Sequence, residues 1–370
     1  MGTANTSYRV VEVAESGLDS RSIGQFIEEH WRKRIALSVP RFFDWQFTDS
    51  PANRGRNRCL LILDRDDRIF GFMGVTVREF NLDGRRVVGA ELTTWILNEE
   101  VRGLGLGKAI VGRLQESYEA IIGMGISDSA LPIYATHGFK YMRHLSRYVR
   151  IHDAERVASI SKLDALGERM VRKAPEPVGI GYAARSIEAS EAAELAELLY
   201  PKFNCTVRSP EYLEWRYTDH PYYEYEIFRI GDGSDEAAVV LRIDDKQDLR
   251  IVHVIDYLGA AANVPAVISF IDDLCRDRGA AFADFYCSAD PIGTCFWSHG
   301  WFSSVDDFYL QVPNWFYPID MRIPPTTSLI LWSRSDPGAL LDRGRVYITK
   351  GDCDMDRPTV QYFDEKGIEY

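Results

Sequence analysis

Two neighbouring stretches of the chain carry opposite hydrophobic periods. From Gly89 to Leu97 the side chains of Glu91, Thr93, Trp95 and Leu97 fall on one face at a period of two, which predicts a strand. From Ile110 to Tyr118 the run is amphipathic at helical spacing, with Ile110, Val111 and Leu114 on one side. Val101-Arg102-Gly103-Leu104-Gly105-Leu106-Gly107-Lys108-Ala109 joins them. A second apolar strand is predicted over Arg250–Leu258, and there the connection reads Gly259-Ala260-Ala261-Ala262-Asn263-Val264-Pro265.

A strand, a Gly-rich turn and a helix start form a site for a pyrophosphate. Glycines remove the Cβ atoms that block close approach, and the first helical N–H groups and the positive helix end face the anion. The spacing here is Arg-x-x-Gly-x-Gly. No Gly-Lys-Ser/Thr follows, which excludes a P-loop, and no Gly-x-Gly-x-x-Gly is present, which excludes the dinucleotide fingerprint. Downstream lies Pro132-Ile133-Tyr134-Ala135-Thr136-His137-Gly138-Phe139-Lys140. Together the two segments resemble the acyl-CoA loop and the Tyr-x-x-x-Gly-Phe closing segment of the GNAT acetyltransferase superfamily, in the family's order, over about residues 8–150.

The resemblance implies an α/β (α+β) fold with a mixed central sheet flanked by helices. It implies acetyl-CoA as co-substrate, with the pantetheine arm along Trp95, Ile96 and Leu97. The pyrophosphate would meet the amides of Arg102, Gly103, Leu104, Gly105, Leu106, Gly107, Lys108 and Ala109. Glu91 falls where the family often places a general base, and Tyr134 where it places the proton donor to the departing thiolate. A strand-end carboxylate in solvent is the competing account of Glu91, and core packing that of Tyr134. His137 is read as structural, because a histidine recurs at the matching place in the second half of the chain.

That recurrence belongs to a faint internal repeat. Ser38–Pro51 returns as Arg208–Pro221, keeping a proline, a tryptophan (Trp45, Trp215), Thr-Asp and a final proline in register. Ser129-Ala130-Leu131-Pro132-Ile133 returns as Ser288-Ala289-Asp290-Pro291-Ile292, and His137-Gly138-Phe139 as His299-Gly300-Trp301. Two echoes in one order predict a tandem duplication. The second copy lacks the Arg-x-x-Gly-x-Gly loop, has Pro265 near its helix start and carries Phe296 where the tyrosine should be, so it reads as degenerate. The predicted division is 1–165 for the catalytic copy, 166–178 for a linker and 179–370 for the second copy with its aromatic, Pro-bearing tail. The repeated tryptophans suit either an acceptor wall or shared core packing, and packing is favoured because Trp215 persists where the cofactor loop is lost.

Composition narrows the function. A net charge of −12 disfavours nucleic acid and acidic membranes and suits a cationic acceptor. Six scattered cysteines without a Cys-x-x-Cys pair, no signal peptide and no apolar run of membrane-spanning length indicate a soluble, cytoplasmic chain with free thiols, and leave oligomerisation open. No metal is expected. The alternating aspartates of Asp352-Cys353-Asp354-Met355-Asp356 lack the Gly and Glu an EF-hand loop requires, and read as a solvated turn. The function expected is acetyl transfer to a small-molecule amine, such as an amino sugar or sugar nucleotide. Transfer to a protein lysine or N-terminus, and a non-catalytic acyl-CoA-binding module, are the alternatives.

Overall fold

A computed structural model describes residues 7–31, 34–173, 179–232, 235–246, 249–315, 319–320, 326–335 and 338–369. The expected linker is helical at its start, over Ala165–Arg172, and residues 174–178 lie outside the described set, as do 316–318 and 321–325 of the aromatic tail.

The first half supplies β1 (Arg9–Glu12), β2 (Leu60–Leu63), β3 (Ile69–Leu82), β4 (Arg85–Leu97), β5 (Ala120–Met124), β6 (Lys140–Met142) and β7 (Arg147–Ile151). The second supplies β8 (Ala184–Ser186), β9 (Glu226–Asp232), β10 (Asp235–Lys246), β11 (Leu249–Gly259), β12 (Phe282–Tyr286), β13 (Phe302–Ser303) and β14 (Leu329–Ser333). The first sheet runs β1-β2-β3-β4-β5-β14-β6 and the second β8-β9-β10-β11-β12-β7-β13. Position for position they match. Along these seven-strand paths each is antiparallel except at one central pair, β4 with β5 and β11 with β12. The parallel pairs require crossovers, made by α3 (Leu106–Ser117) and α5 (Val264–Arg278).

The halves are not closed on themselves. β14 comes from the second half and lies between β5 and β6, while β7 comes from the first and lies between β12 and β13. Each sheet is therefore completed by a strand of the other. The repeat places a second tie at their boundary. Trp45 sits on α2 (Pro40–Phe47), and Trp215 on the matching turn after Pro210–Leu213. Their rings stack at 4.8 Å, and each indole N–H donates to the other's backbone carbonyl, at 3.1 and 2.9 Å. Both are buried and neither lines the large cavity described below, and they pack on each other.

Local chemistry sets the long strands. β3 and β4 form a hairpin whose turn residues Asp83 and Gly84 both have positive φ, 51° and 78°, the Asp-Gly geometry that matches strand twist. The apolar face of β3 and β4 (Val75, Val77, Ala90, Leu92) packs on Ile110, Val111 and Leu114 of α3, as the helical spacing predicts.

The tail is the largest departure from the sequence reading. Val346–Tyr347 pairs with the strand Asn204–Thr206, which itself extends β3. Beyond it Lys350, Asp352 and Asp356 are buried, and the turn is not solvated. Asp352 accepts from Arg208 at 2.9 Å and Asp356 from Arg242 at 2.7 Å. Each aspartate answers an arginine that is remote in sequence. No cluster of metal-ligating side chains occurs among the described residues, and no described helix is long and apolar enough to cross a membrane.

Candidate active site

The site begins with an irregularity in β4. Met73 pairs with Trp95 and Val75 with Leu92, so three steps along β4 are matched to two along β3, and an extra residue is accommodated at Thr93 and Thr94. The bulge reverses the alternation. A Cβ added at Gly74 would meet Thr93 and Phe47, on the face toward the second half, whereas one at Gly107 would meet Trp95 and Leu97, on the face toward α3. The period-two expectation that Glu91, Thr93, Trp95 and Leu97 share one face is thereby corrected: Glu91 and Thr93 point one way, Trp95 and Leu97 the other.

Pairing between β4 and β5 stops at Leu92 and Gly123. Beyond that point the strands part, and a cavity of about 860 Å³ opens between them. Trp95, Ile96, Leu97 and Arg102 line it from the β4 side, Tyr134 from below, and the tail residues Asp354 to Gln361 from above.

At its border the chain turns through Gly103 and Gly105, with φ of 79° and 82°, and enters α3 at Leu106. Cβ atoms added at either glycine would meet nothing within 4 Å, so the space above them is open. Three of the eight expected amides are used internally: Arg102 donates to Glu99, Leu104 to Val101 and Ala109 to Gly105. Those of Gly103, Gly105, Leu106, Gly107 and Lys108 make no hydrogen bond among the described residues. Five free amides with a helix N-terminus behind them fit an anionic group. Gly107 has a second duty, since its Cβ would press on Ile133 and Trp95 at 3.1 and 3.2 Å.

Tyr134 projects from α4 (Leu131–Thr136) and packs against Trp95, ring centres 5.3 Å apart and planes tilted by 60°. Its hydroxyl has no partner among the described residues and burial raises its pKa, so it remains a protonated donor facing the cavity. His137 does not face the site. Its Nδ1 donates to the Ile133 carbonyl at 2.8 Å, as His299 Nδ1 donates to Cys295 at 2.7 Å at the end of α6 (Asp290–Ser298), and Gly138 and Gly300 close both helices at positive φ.

Glu91 is fully buried beneath the cavity and is not part of its wall, so the solvent-facing alternative is excluded. Neither carboxyl oxygen has a hydrogen-bond partner among the described residues, and Arg78 Nη2 stands 4.0 Å away. Burial, reinforced by the neighbouring Asp354 charge and opposed by Arg78, raises its pKa to about 8. Arg78 is sandwiched against Tyr212 and Trp215, its guanidinium 5.0 Å from each ring centre.

The sequence reading passed over Asp354 and Arg357. Thr93 Oγ1 and Arg357 both donate to Asp354 Oδ2, and Arg357 Nη1 also donates to Thr94 at 3.2 Å. Only the alternation of aspartates, read as solvated, marked this segment.

The chain is similar over most of its length to solved tandem structures. A probable N-acyltransferase from Enterococcus faecalis superposes with a TM-score of 0.57 at 11% identity, over 88% of this chain and 72% of that one. Saccharomyces cerevisiae N-myristoyltransferase with bound myristoyl-CoA gives 0.52 at 10%, over 90% and 81%. A GCN5-related N-acetyltransferase from Anabaena variabilis gives 0.51 at 11%, over 88% and 72%. The fold is the GNAT fold, in tandem. No family model and no curated protein matches the sequence. Within this GNAT fold the Gly-rich loop, the parting of β4 from β5 and Tyr134 come together in the first copy. In the second, Pro265 lies in the first turn of α5 and a Cβ at Gly259 would strike Ala237 at 2.6 Å.

Proposed function

We propose that this protein is an acyl-CoA-dependent N-acyltransferase with one active site, in the first half, acting on a small-molecule amine. The observation that carries the reading is the set of unpartnered amides at Gly103 and from Gly105 to Lys108, directly after the cavity-lining Arg102, with Tyr134 in the wall of the same cavity. The loop would hold the donor's pyrophosphate, and the parted strands would take the pantetheine arm along Trp95, Ile96 and Leu97. Tyr134 would protonate the thiolate as it leaves. Glu91 would act on the acceptor only through the groups that cover it.

Acetyl is the donor expected first, and amino sugars and sugar nucleotides are the acceptors to try first. Because the yeast neighbour holds myristoyl-CoA, the donor series should extend to long chains. The test is release of free thiol from each acyl-CoA with a panel of amines, peptides included. Amine-dependent release supports the enzyme. Tight acyl-CoA binding without release with any acceptor makes the chain a binding module, and absence of binding removes the proposal.

A further inference from the structure

Glu91 lies under the cavity floor, while another carboxylate stands in the wall. Asp354 is carried there by the tail, and its side chain is 9% exposed. One oxygen, Oδ2, is fixed by Thr93 on the bulge of β4 and by Arg357. The other, Oδ1, makes no hydrogen bond among the described residues, in a residue that lines the cavity. An accessible carboxylate oxygen in a cavity wall, without a donor from the protein, is left to water or a ligand.

We propose that Asp354 receives the acceptor, which enters as a primary ammonium ion, and takes its proton. The inference rests on the acyltransferase reading and names the acceptor's charge and the group that meets it. In the step, an N–H bond of the ammonium breaks and its proton passes to Asp354, leaving a lone pair on nitrogen. The new C–N bond forms at the thioester carbonyl as the C–S bond breaks. The nitrogen loses a second proton, and the sulfur gains one from Tyr134, which that second proton restores. The proton on Asp354 returns to water.

Glu91 is then a positioning residue. The charged and titratable groups around Asp354 are Glu91 from β4, Arg78 from β3, and Cys353 and Arg357 from the tail. Held mostly neutral at pH 7 by burial, Glu91 adds no second negative charge there. As it ionises near pH 8 it brings a second negative charge beside Asp354.

The experiment compares the full-length parent with Asp354→Asn, using coenzyme A binding by calorimetry and thiol release from acetyl-CoA. Two acceptors are used, a primary alkylamine that is cationic at pH 7 and hydroxylamine, which is neutral there. Asp354→Asn should bind coenzyme A within about 2-fold of the parent and lose about 10²-fold in kcat/KM for the cationic amine. The loss should shrink to a few-fold with hydroxylamine, or with the alkylamine above its own pKa. Equal loss for both acceptors, or no loss, overturns the inference while leaving the acyltransferase reading intact. A parent that fails to bind acyl-CoA or to release thiol ends both. Should Asp354→Asn not fold, Thr93→Val, which frees Asp354 from its anchor, serves instead: a loss confined to the cationic amine upholds the inference, and an equal or absent loss overturns it. Glu91→Gln should remove an inflection near pH 8 from the rate profile, and an inflection that stays denies Glu91 the positioning role.

Discussion

The two halves share a sheet order, a parallel central pair and a bulge at the same place, yet the cavity of about 860 Å³ opens beside the parallel pair of the first. In the first, β4 bulges just after Leu92. In the second, β11 shifts register just after Val254, the residue whose parallel pairing with β12 corresponds. Even a diagonal pairing of a basic with an acidic side chain recurs with the positions exchanged, Arg78 with Glu91 at 4.0 Å and Asp244 with His253 at 3.4 Å. What differs is small and local. The second half's connection has no glycine at positive φ and carries Pro265 in the first turn of α5, and its own tail lies where β11 departs from β12, with Thr349 donating to Asp256 at 3.1 Å and Arg208 joining Asp256 to Asp352. Strand order and bulge belong to the fold, whereas the chemistry depends on a short loop and on what is allowed to fill the gap beside it.

The sharpest way to break this comparison is to open the filled gap. Arg208→Ala leaves Asp256 and Asp352 buried without their cation, and should destabilise the chain by about 3–5 kcal/mol, read from denaturant midpoints. A loss under 1 kcal/mol would mean that the tail is a loose cover. Next in size is Gly105→Asp, which places a carboxylate where the amides await an anion. Coenzyme A binding should vanish with the fold retained, and Ala261→Asp, in the second half's own strand-to-helix connection, should leave a single site of unchanged affinity. Two equivalent sites in the parent by calorimetry would refute the account of the second half. Tyr134→Phe should lower turnover about 10²-fold with little change in donor affinity. An unchanged rate with chemistry limiting assigns the ring to packing on Trp95.

Glu91 offers a test that needs no activity. Its folded pKa lies above its unfolded one, so the native state binds the extra proton between about pH 4.5 and 8, and its contribution falls as pH rises through that window and then levels off. Glu91→Gln removes that fall. The variant's stability relative to the parent should therefore grow from pH 5 to 8 and stay flat above, and a constant difference would show that Glu91 is ionised throughout. Smallest are Trp45→Phe and Trp215→Phe. Each removes one indole donor from a reciprocal pair, and the two should cost similar amounts, about 1 kcal/mol. A large inequality would mean that only one half depends on the contact.

Much of this was legible because it rests on local rules. The glycines that permit positive φ, the tryptophans in register and the helix-ending histidines are short-range signals, and the second copy identified His137 as structural. The face occupied by Glu91 was not legible, because a bulge shifts every later residue without a mark at Thr93 or Thr94. Nor was the strand exchange: β7 and β14 are five-residue strands, and nothing in them says which sheet they enter. Asp354 was hidden for a related reason. An alternating run of aspartates looks solvated until its arginines arrive from other elements.

The exchange of β7 and β14 also orders events during synthesis. When the first half leaves the ribosome, β5 has no neighbour on its outer side, and its unpaired amides and carbonyls stay open until Leu329–Ser333 emerges. The wall of the active cavity arrives later still, with Asp354 and Arg357. A nascent chain therefore carries a finished glycine loop long before it carries a finished cavity. One late stretch of the chain, from Leu329 to Gln361, both seals the first sheet and completes the cavity wall, so the candidate site forms only once that stretch has been made.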